Sequence, residues 1–172
     1  MKKALFIVLM TLLCQTMFAQ VKIKTLEGSP AVLKEHATSV IDFDFSLTTW
    51  DEGQTFQRWC GDEYEDRIEI AKSAFIIAFN KNSNGLKIDN EKEDSKYRII
   101  FEVHNIDQKA AGYPGQLSMR CYGLVHVKNI ATEENLCTIR IYKLDGDPDC
   151  TTDDRLAKCF KEVGKKIATL KK

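Results

Sequence analysis

Three stretches of alternating apolar and polar residues follow one another in the second half of the chain, and they constrain its fold most strongly. In the first stretch, Ile99, Phe101 and Val103 recur at every second position, with Glu102 and His104 on the other side. A period of two is typical of a strand with one buried face. We therefore predict three successive strands, over residues 97–104, 117–128 and 136–143.

The connection between the second and third strands predicts how they pair. The polar link 129–135 is short enough for a hairpin and too short for a parallel crossover. Apolar residues at helical spacing predict two helices, over residues 62–80 and 151–170, which would cover the apolar side of the sheet. The predicted fold class is α+β with two layers: a mostly antiparallel sheet of four to five strands and two helices packed on one face.

The N-terminus has the pattern of a leader for export. Lys2 and Lys3 precede an apolar run over residues 4–13, and Ala19 is a small residue at a plausible cleavage zone. Cys14 follows the bulky Leu13, which argues against a lipid-anchored form. We predict a signal peptide over residues 1–20, an N-terminal arm or edge segment over 21–37 and a single α/β domain over 38–172, periplasmic or secreted.

Charge and hydropathy argue against a nucleic-acid partner and against a transmembrane segment. Without residues 1–20, which carry two lysines and no acid, 23 basic and 25 acidic side chains remain. This balance offers no basic excess for a nucleic acid. No later apolar stretch is long enough to span a membrane, so we predict no transmembrane segment in the mature chain.

Two local patterns are candidate functional features. Trp50, Phe56 and Trp59 lie in one aromatic-rich segment, which is either a binding platform or a flap that closes the end of the sheet. Asp42 and Asp44 alternate with apolar residues on a predicted strand. They are either a carboxylate pair for hydrolysis or the solvated face of that strand.

The cysteines and the acidic turn at 145–149 indicate no cofactor or metal. A calcium loop starting at Asp145 would need Gly at position 150 and Glu at 156, where the chain has Cys150 and Leu156. No pair of cysteines has the CxxC spacing of a zinc ribbon or redox site. In an oxidising compartment, Cys60 and Cys150 are the candidate disulfide pair, because both lie in loops before predicted helices.

The order of elements resembles a known envelope theme. A helix, the strand Ser95–Val103, a loop, the segment Gly123–Glu134 and a terminal helix follow one another. This order is similar to the small α/β domain of penicillin-binding-protein activator lipoproteins and of the curli-secretion lipoprotein. Many secreted Bacteroidetes proteins of unknown function share it. The resemblance implies an envelope protein and implies no site residues.

Two functional hypotheses follow. The first is an exported, non-catalytic binding or assembly module for an unknown envelope protein or cell-wall component. The second is a small exported hydrolase that uses Asp42 and Asp44 beside the aromatic segment.

Overall fold

The computed structural model describes residues 22–51, 53–111 and 114–171. The predicted signal peptide, with Cys14, lies outside these residues. Two short 3-10 helices, Pro30–Lys34 and Gly61–Glu63, accompany the main elements. The α-helices are α1 (Phe56–Cys60), α2 (Tyr64–Asn82) and α3 (Thr152–Ala168). The strands are β1 (Ile23–Gly28), β2 (Thr38–Asp44), β3 (Thr49–Trp50), β4 (Gln54–Thr55), β5 (Lys87–Ile88), β6 (Tyr97–Ala110), β7 (Leu117–Asn129) and β8 (Asn135–Asp145).

All the described strands join one mixed sheet. Its order is β1-β8-β7-β6-β2-β5, with β3 pairing beside β6 and β4 pairing with β3. Strands β1, β8, β7 and β6 are antiparallel neighbours, whereas β2 runs parallel to both β6 and β5. The predicted sheet of four to five mostly antiparallel strands was therefore wrong, since the sheet has eight strands and mixed direction.

The missed strands are short or lie at an edge. Strands β3 and β4 contain two residues each, too few to show any alternation. The segment predicted as an N-terminal arm or edge segment contains β1, which pairs with β8 and carries a bulge between Thr25 and Glu27. The parallel pairing of β2 and β6 needs a long crossover, and α2 lies within it.

The three predicted central strands and the two predicted long helices are confirmed. Helices α2 and α3 pack closely together over the sheet. They run in the same direction, because Arg67 contacts Asp153 near both N-termini and Gly164 lies against Phe75 further along. No helix among the described residues is long and apolar enough to cross a membrane.

The core lies between the sheet and these helices and centres on Phe101. Its ring lies 5.8 Å from Phe43 of β2, 5.5 Å from Phe75 of α2 and 5.8 Å from Phe160 of α3, measured between centroids. Phe101, Phe75 and Phe160 have no exposed surface. One aromatic cluster thus joins two strands to both long helices.

The surroundings of Gly164 show how closely α2 and α3 approach each other. A Cβ at this position would lie 2.4 Å from the carbonyl oxygen of Phe75, which belongs to the backbone of α2. Alanine is intrinsically a better helix residue than glycine by about 1 kcal/mol. We nevertheless expect Gly164→Ala to lower the free energy of unfolding by about 1–3 kcal/mol, because the helices must move apart.

The measurement is urea unfolding followed by circular dichroism. Ser73→Ala, at an exposed position of α2, is the control and should change stability by less than about 0.5 kcal/mol. An increase in stability for Gly164→Ala would contradict this account of the helix contact.

Candidate functional site

The side of the sheet away from α2 and α3 has no helix packed on it within the described chain, and we call it the open face. Its side chains alternate with those of the core. On β7, Cys121, Val125 and Val127 are fully buried, whereas Leu124 and His126 are half-buried. The open face comprises Arg98, Ile100, Glu102, His104, Asn105, Asp107 and Lys109 of β6, Arg120, Tyr122, Leu124 and His126 of β7, and Thr138, Arg140, Tyr142 and Asp145 of β8.

Irregular pairing shapes this face near its middle. In β6, the register with β7 shifts between Val103 and Asn105, so His104 is the extra residue. In β8, Lys143 has a φ of 51°, a left-handed conformation, beside the shift in pairing with β7. Bulges of this kind bend a strand and redirect side chains. Here they place Asn105 and Asp107 on the same face as Glu102.

Asp107 is the centre of a charged network beyond the bulge. The Arg120 guanidinium donates two hydrogen bonds to its carboxylate, one of them of 2.9 Å from Nη2 to Oδ2. The Tyr122 hydroxyl donates a third, of 2.9 Å. Burial and this hydrogen bond raise the pKa of Tyr122. Asp107 is only 9% exposed, so its bonds hold Arg120 and Tyr122 in fixed positions.

Asp145 of β8 continues the network. Its carboxylate pairs with Lys109 at 2.9 Å and with Lys22. Burial raises the pKa of Asp145, but the hydrogen bonds from the two lysines outweigh burial and leave that pKa below its ordinary value. The carboxylate is therefore held in its ionised form.

A second polar cluster surrounds Glu102. Its carboxylate oxygens lie 3.5 Å from Nε2 of His104 and 3.5 Å from Nε2 of His126. Nδ1 of His126 lies 3.2 Å from the Thr138 hydroxyl oxygen. The order hydroxyl, imidazole, carboxylate matches that of a nucleophilic triad.

The surroundings of Thr138 do not suit catalysis. Thr138 is only 6% exposed, and its hydroxyl oxygen also accepts a 2.9 Å hydrogen bond from the Asn135 side chain. Strand β8 is paired on both sides, with β7 and β1, around this position. Its backbone N–H groups are therefore engaged in the sheet and cannot form an oxyanion hole. No group of three His, Cys, Asp or Glu side chains among the described residues is suited to hold a metal ion.

Between the two clusters lies a shallow depression of about 270 Å³. The rings of Tyr122 and Tyr142 meet edge to face there, with centroids 5.7 Å apart. Arg140 is exposed beside them, and Leu124 contributes an apolar surface. Tyrosine and arginine are the residue types enriched at the energetic centres of protein interfaces. This depression and its two flanking clusters are the candidate site.

Sequence reasoning missed these residues individually. Period-two alternation did place Glu102, His104, Tyr122 and Arg140 on the polar sides of their strands. It could not show that the bulge adds Asp107 to the same surface, because a one-residue shift reverses every side chain after it.

The predicted aromatic site lies elsewhere, at the end of the sheet. Trp50 stacks on Trp59 with centroids 3.6 Å apart, and the Arg67 guanidinium carbon lies 4.8 Å from the Trp59 ring. Trp50 is 6% exposed and Phe56 is fully buried, so Trp59 is the member of the three with appreciable exposed surface. Two of the three residues serve the core, and binding by this cluster stays a prediction.

Asp42 and Asp44 both lie exposed on β2. Asp42 pairs loosely with Arg98 at 3.5 Å. Asp44 accepts hydrogen bonds from the hydroxyl and backbone N–H of Ser46, which lower its pKa. A general acid for hydrolysis needs a raised pKa. Neither Asp42 nor Asp44 is among the residues that line five surface cavities of the described chain.

The predicted Cys60–Cys150 disulfide is absent from the described structure. Cys60 is a buried free thiol on α1, and Cys150 is an exposed free thiol before α3. Cys60 is enclosed in the aromatic end of the core, and burial raises its pKa. The other described cysteines, Cys121, Cys137 and Cys159, are also buried free thiols.

Thiol exposure generates a direct test. We expect Cys150 to react with a maleimide in the folded protein far faster than the buried cysteines, because thiolates must be accessible to react. Mass spectrometry of labelled protein that lacks residues 1–20, and therefore Cys14, should show one rapid addition. Cys150→Ser should remove it, while Cys137→Ser should not. Rapid labelling that persists in Cys150→Ser would contradict the described burial.

The lysine pairs of Asp145 make stability depend on pH. A lowered pKa in the folded state stabilises the fold above the unfolded pKa of about 3.9, and this stabilisation is lost as the pH falls through the folded pKa. At pH 7 we expect Asp145→Asn to lower the free energy of unfolding, measured by urea unfolding, by about 0.5–1.5 kcal/mol. The difference should shrink below about pH 4.

Asp147→Asn is the matched control, since Asp147 is an exposed aspartate two residues away. It should show little change at either pH. If the loss of unfolding free energy in Asp145→Asn is the same at pH 7 and pH 3, the ionised carboxylate of Asp145 is not what stabilises the fold.

The fold is thus a two-layer α/β domain with one sheet face left open. No family model matches the chain. No curated protein matches it either. Among solved structures, the PelC dodecamer of Paraburkholderia phytofirmans aligns with a TM-score of 0.47 at 9% identity, over 84% of this chain and 94% of that one. A Xanthomonas campestris protein described by the family model DUF330 aligns with a TM-score of 0.42 at 10% identity, over 83% of this chain and 85% of that one. At these values, neither likeness bears on function.

Proposed function

We propose that this protein is an exported, non-catalytic module of the cell envelope that binds a protein or cell-wall partner through the open face of its sheet. The observation that supports this most is the depression between Tyr122, Tyr142 and Arg140, flanked by two ordered charged clusters. The predicted leader and the resemblance to envelope families support the location.

Preorganisation favours binding at this face. Tyr122 and Arg120 are fixed by Asp107 before any partner arrives, and Asp145 is fixed by its lysines. A surface whose side chains are already ordered loses less conformational entropy on association. The rigid strands beneath add precision, because the whole surface is built on β6, β7 and β8.

The chemistry of the face suits recognition better than catalysis. The Thr138, His126 and Glu102 series lies in a fully paired part of the sheet, without free N–H groups to stabilise an anion. The alternative of a hydrolase using Asp42 and Asp44 draws no support from their exposure or from the lowered pKa of Asp44.

Paired substitutions test the proposal. Arg140→Glu combined with Tyr142→Ala changes two exposed side chains of the depression, so the fold should be retained. The binding assay is titration of envelope extract and purified cell-wall sacculi over the immobilised protein. We expect the native protein to retain a saturable partner, and the double variant to bind it at least about tenfold more weakly.

Arg58→Glu is the control for charge reversal. Arg58 is an exposed arginine on α1, which packs against α2 rather than on the open face. It should bind as the native protein does. Equal binding by all three proteins, or no saturable partner in either preparation, would refute the proposed use of the open face.

A further inference from the structure

Charge is distributed unevenly along the helix layer. Because α2 and α3 run in the same direction, their N-termini lie at one end of the molecule and their C-termini at the other. The first turns carry Glu65 and Asp66 on α2 and Asp153 and Asp154 on α3. The last turns carry Lys81, Lys165 and Lys166. This pattern complements both helix dipoles and makes one end acidic and the other basic.

A groove of about 400 Å³ lies between the two helices on their outer surface. Ile77 stands in it with 68% of its surface exposed and adds apolar surface to the groove. Lysines bound the groove, and Asp154 is its one acidic lining residue. The apolar lining is Ala74, Ile77, Ala78 and Ala157, and the lysines are Lys81, Lys158, Lys161 and Lys165.

Two of these lysines are free to meet an external anion. Lys158 pairs with Asp149, and Lys165 lies 3.5 Å from Glu162. Lys81 and Lys161 form no ion pair within the described part of the chain. An occupant of the groove should therefore offer an apolar side chain flanked by acidic groups.

The chain itself carries such a feature near the end of β2. Leu47, in the turn between β2 and β3, is 85% exposed, the most exposed large apolar side chain of the described residues. Asp44 and Asp51, both exposed, flank it in sequence. The pKa of Asp44 is lowered by its hydrogen bonds with Ser46, so its charge is retained well below neutral pH.

The Leu47 turn is held rigidly. The next residue, Thr48, is 2% exposed, and its hydroxyl donates a 2.6 Å hydrogen bond to the carbonyl oxygen of Val103 on β6. Its backbone N–H bonds to Phe45 at 3.0 Å, and its carbonyl accepts from Phe56 at 2.8 Å. Leu47 therefore projects from a fixed support, which lowers the entropy lost on insertion into a partner.

We infer that copies of this protein associate head to tail, with Leu47 of one copy inserted beside Ile77 in the groove between α2 and α3 of the next. The acidic groups around Leu47 then meet Lys81 and Lys161. The two surfaces differ from each other, so the contact is heterologous and each copy can both donate and receive. This inference does not depend on the open face, and its failure would leave the proposed function standing.

Complementary variants test the inference. Leu47→Asp replaces the apolar projecting side chain and leaves the groove unchanged. Ile77→Glu places a charge in the groove and leaves Leu47 unchanged. Both positions are exposed, so both variants should fold, as checked by circular dichroism and thermal unfolding. Leu26→Asp, at an exposed leucine of β1, is the matched control.

The measurement is sedimentation velocity of the mature chain at concentrations up to roughly 1 mM, the weak end of specific association. We expect the native protein and Leu26→Asp to associate, less so at high salt, and each of the other variants alone to remain monomeric. An equimolar mixture of Leu47→Asp and Ile77→Glu should recover association that stops at a dimer, because one intact contact remains.

Three results would overturn the inference. The native protein could remain monomeric over the whole concentration range. Either single variant could associate as strongly as the native protein. The mixture could fail to form a dimer although the native protein associates. Each result would exclude the contact between Leu47 and the groove.

Discussion

The packing of aromatic rings on one side of the sheet is the constraint on which the rest of the structure depends. Phe101 contacts Phe43, Phe75 and Phe160, and so fixes β2, α2 and α3 against the centre of β6. Because both long helices are used to cover this side, the opposite side must be stable in water by itself. Its half-buried polar residues and its ion pairs meet that requirement.

The sequence predicted the parts of this fold that depend on long periodic segments. Residues such as Ile99, Val125 and Ile139 alternate over enough positions for one face to be assigned, and the structure buries all three completely. Strand direction was predictable only where a short link forced a hairpin, as between β7 and β8. The parallel neighbour β2 and the two-residue strands depend on contacts between distant parts of the chain, which local patterns do not encode.

The candidate site was predictable only as a polar face. Alternation identified which side of β6 would be wet, but the meeting of Glu102 with His126 depends on register between strands. The role of the aromatic segment was open in the sequence for a related reason. Trp50 and Phe56 are large enough to fill the end of the core, and a sequence cannot distinguish a ring that fills space from one that receives a ligand.

The two edges of the sheet determine whether another chain can add a strand to it. At one edge, β5 pairs only with Thr38 and Ser39 of β2, and the Asn90 side chain bonds to the backbone N–H and carbonyl of Ile41 beyond it. At the other edge, the bulge of β1 between Thr25 and Glu27 interrupts its ladder, and Lys24 adds an exposed charge. Neither edge offers a long, flat row of free backbone groups. Both edges are therefore poor templates for the addition of a strand from another chain.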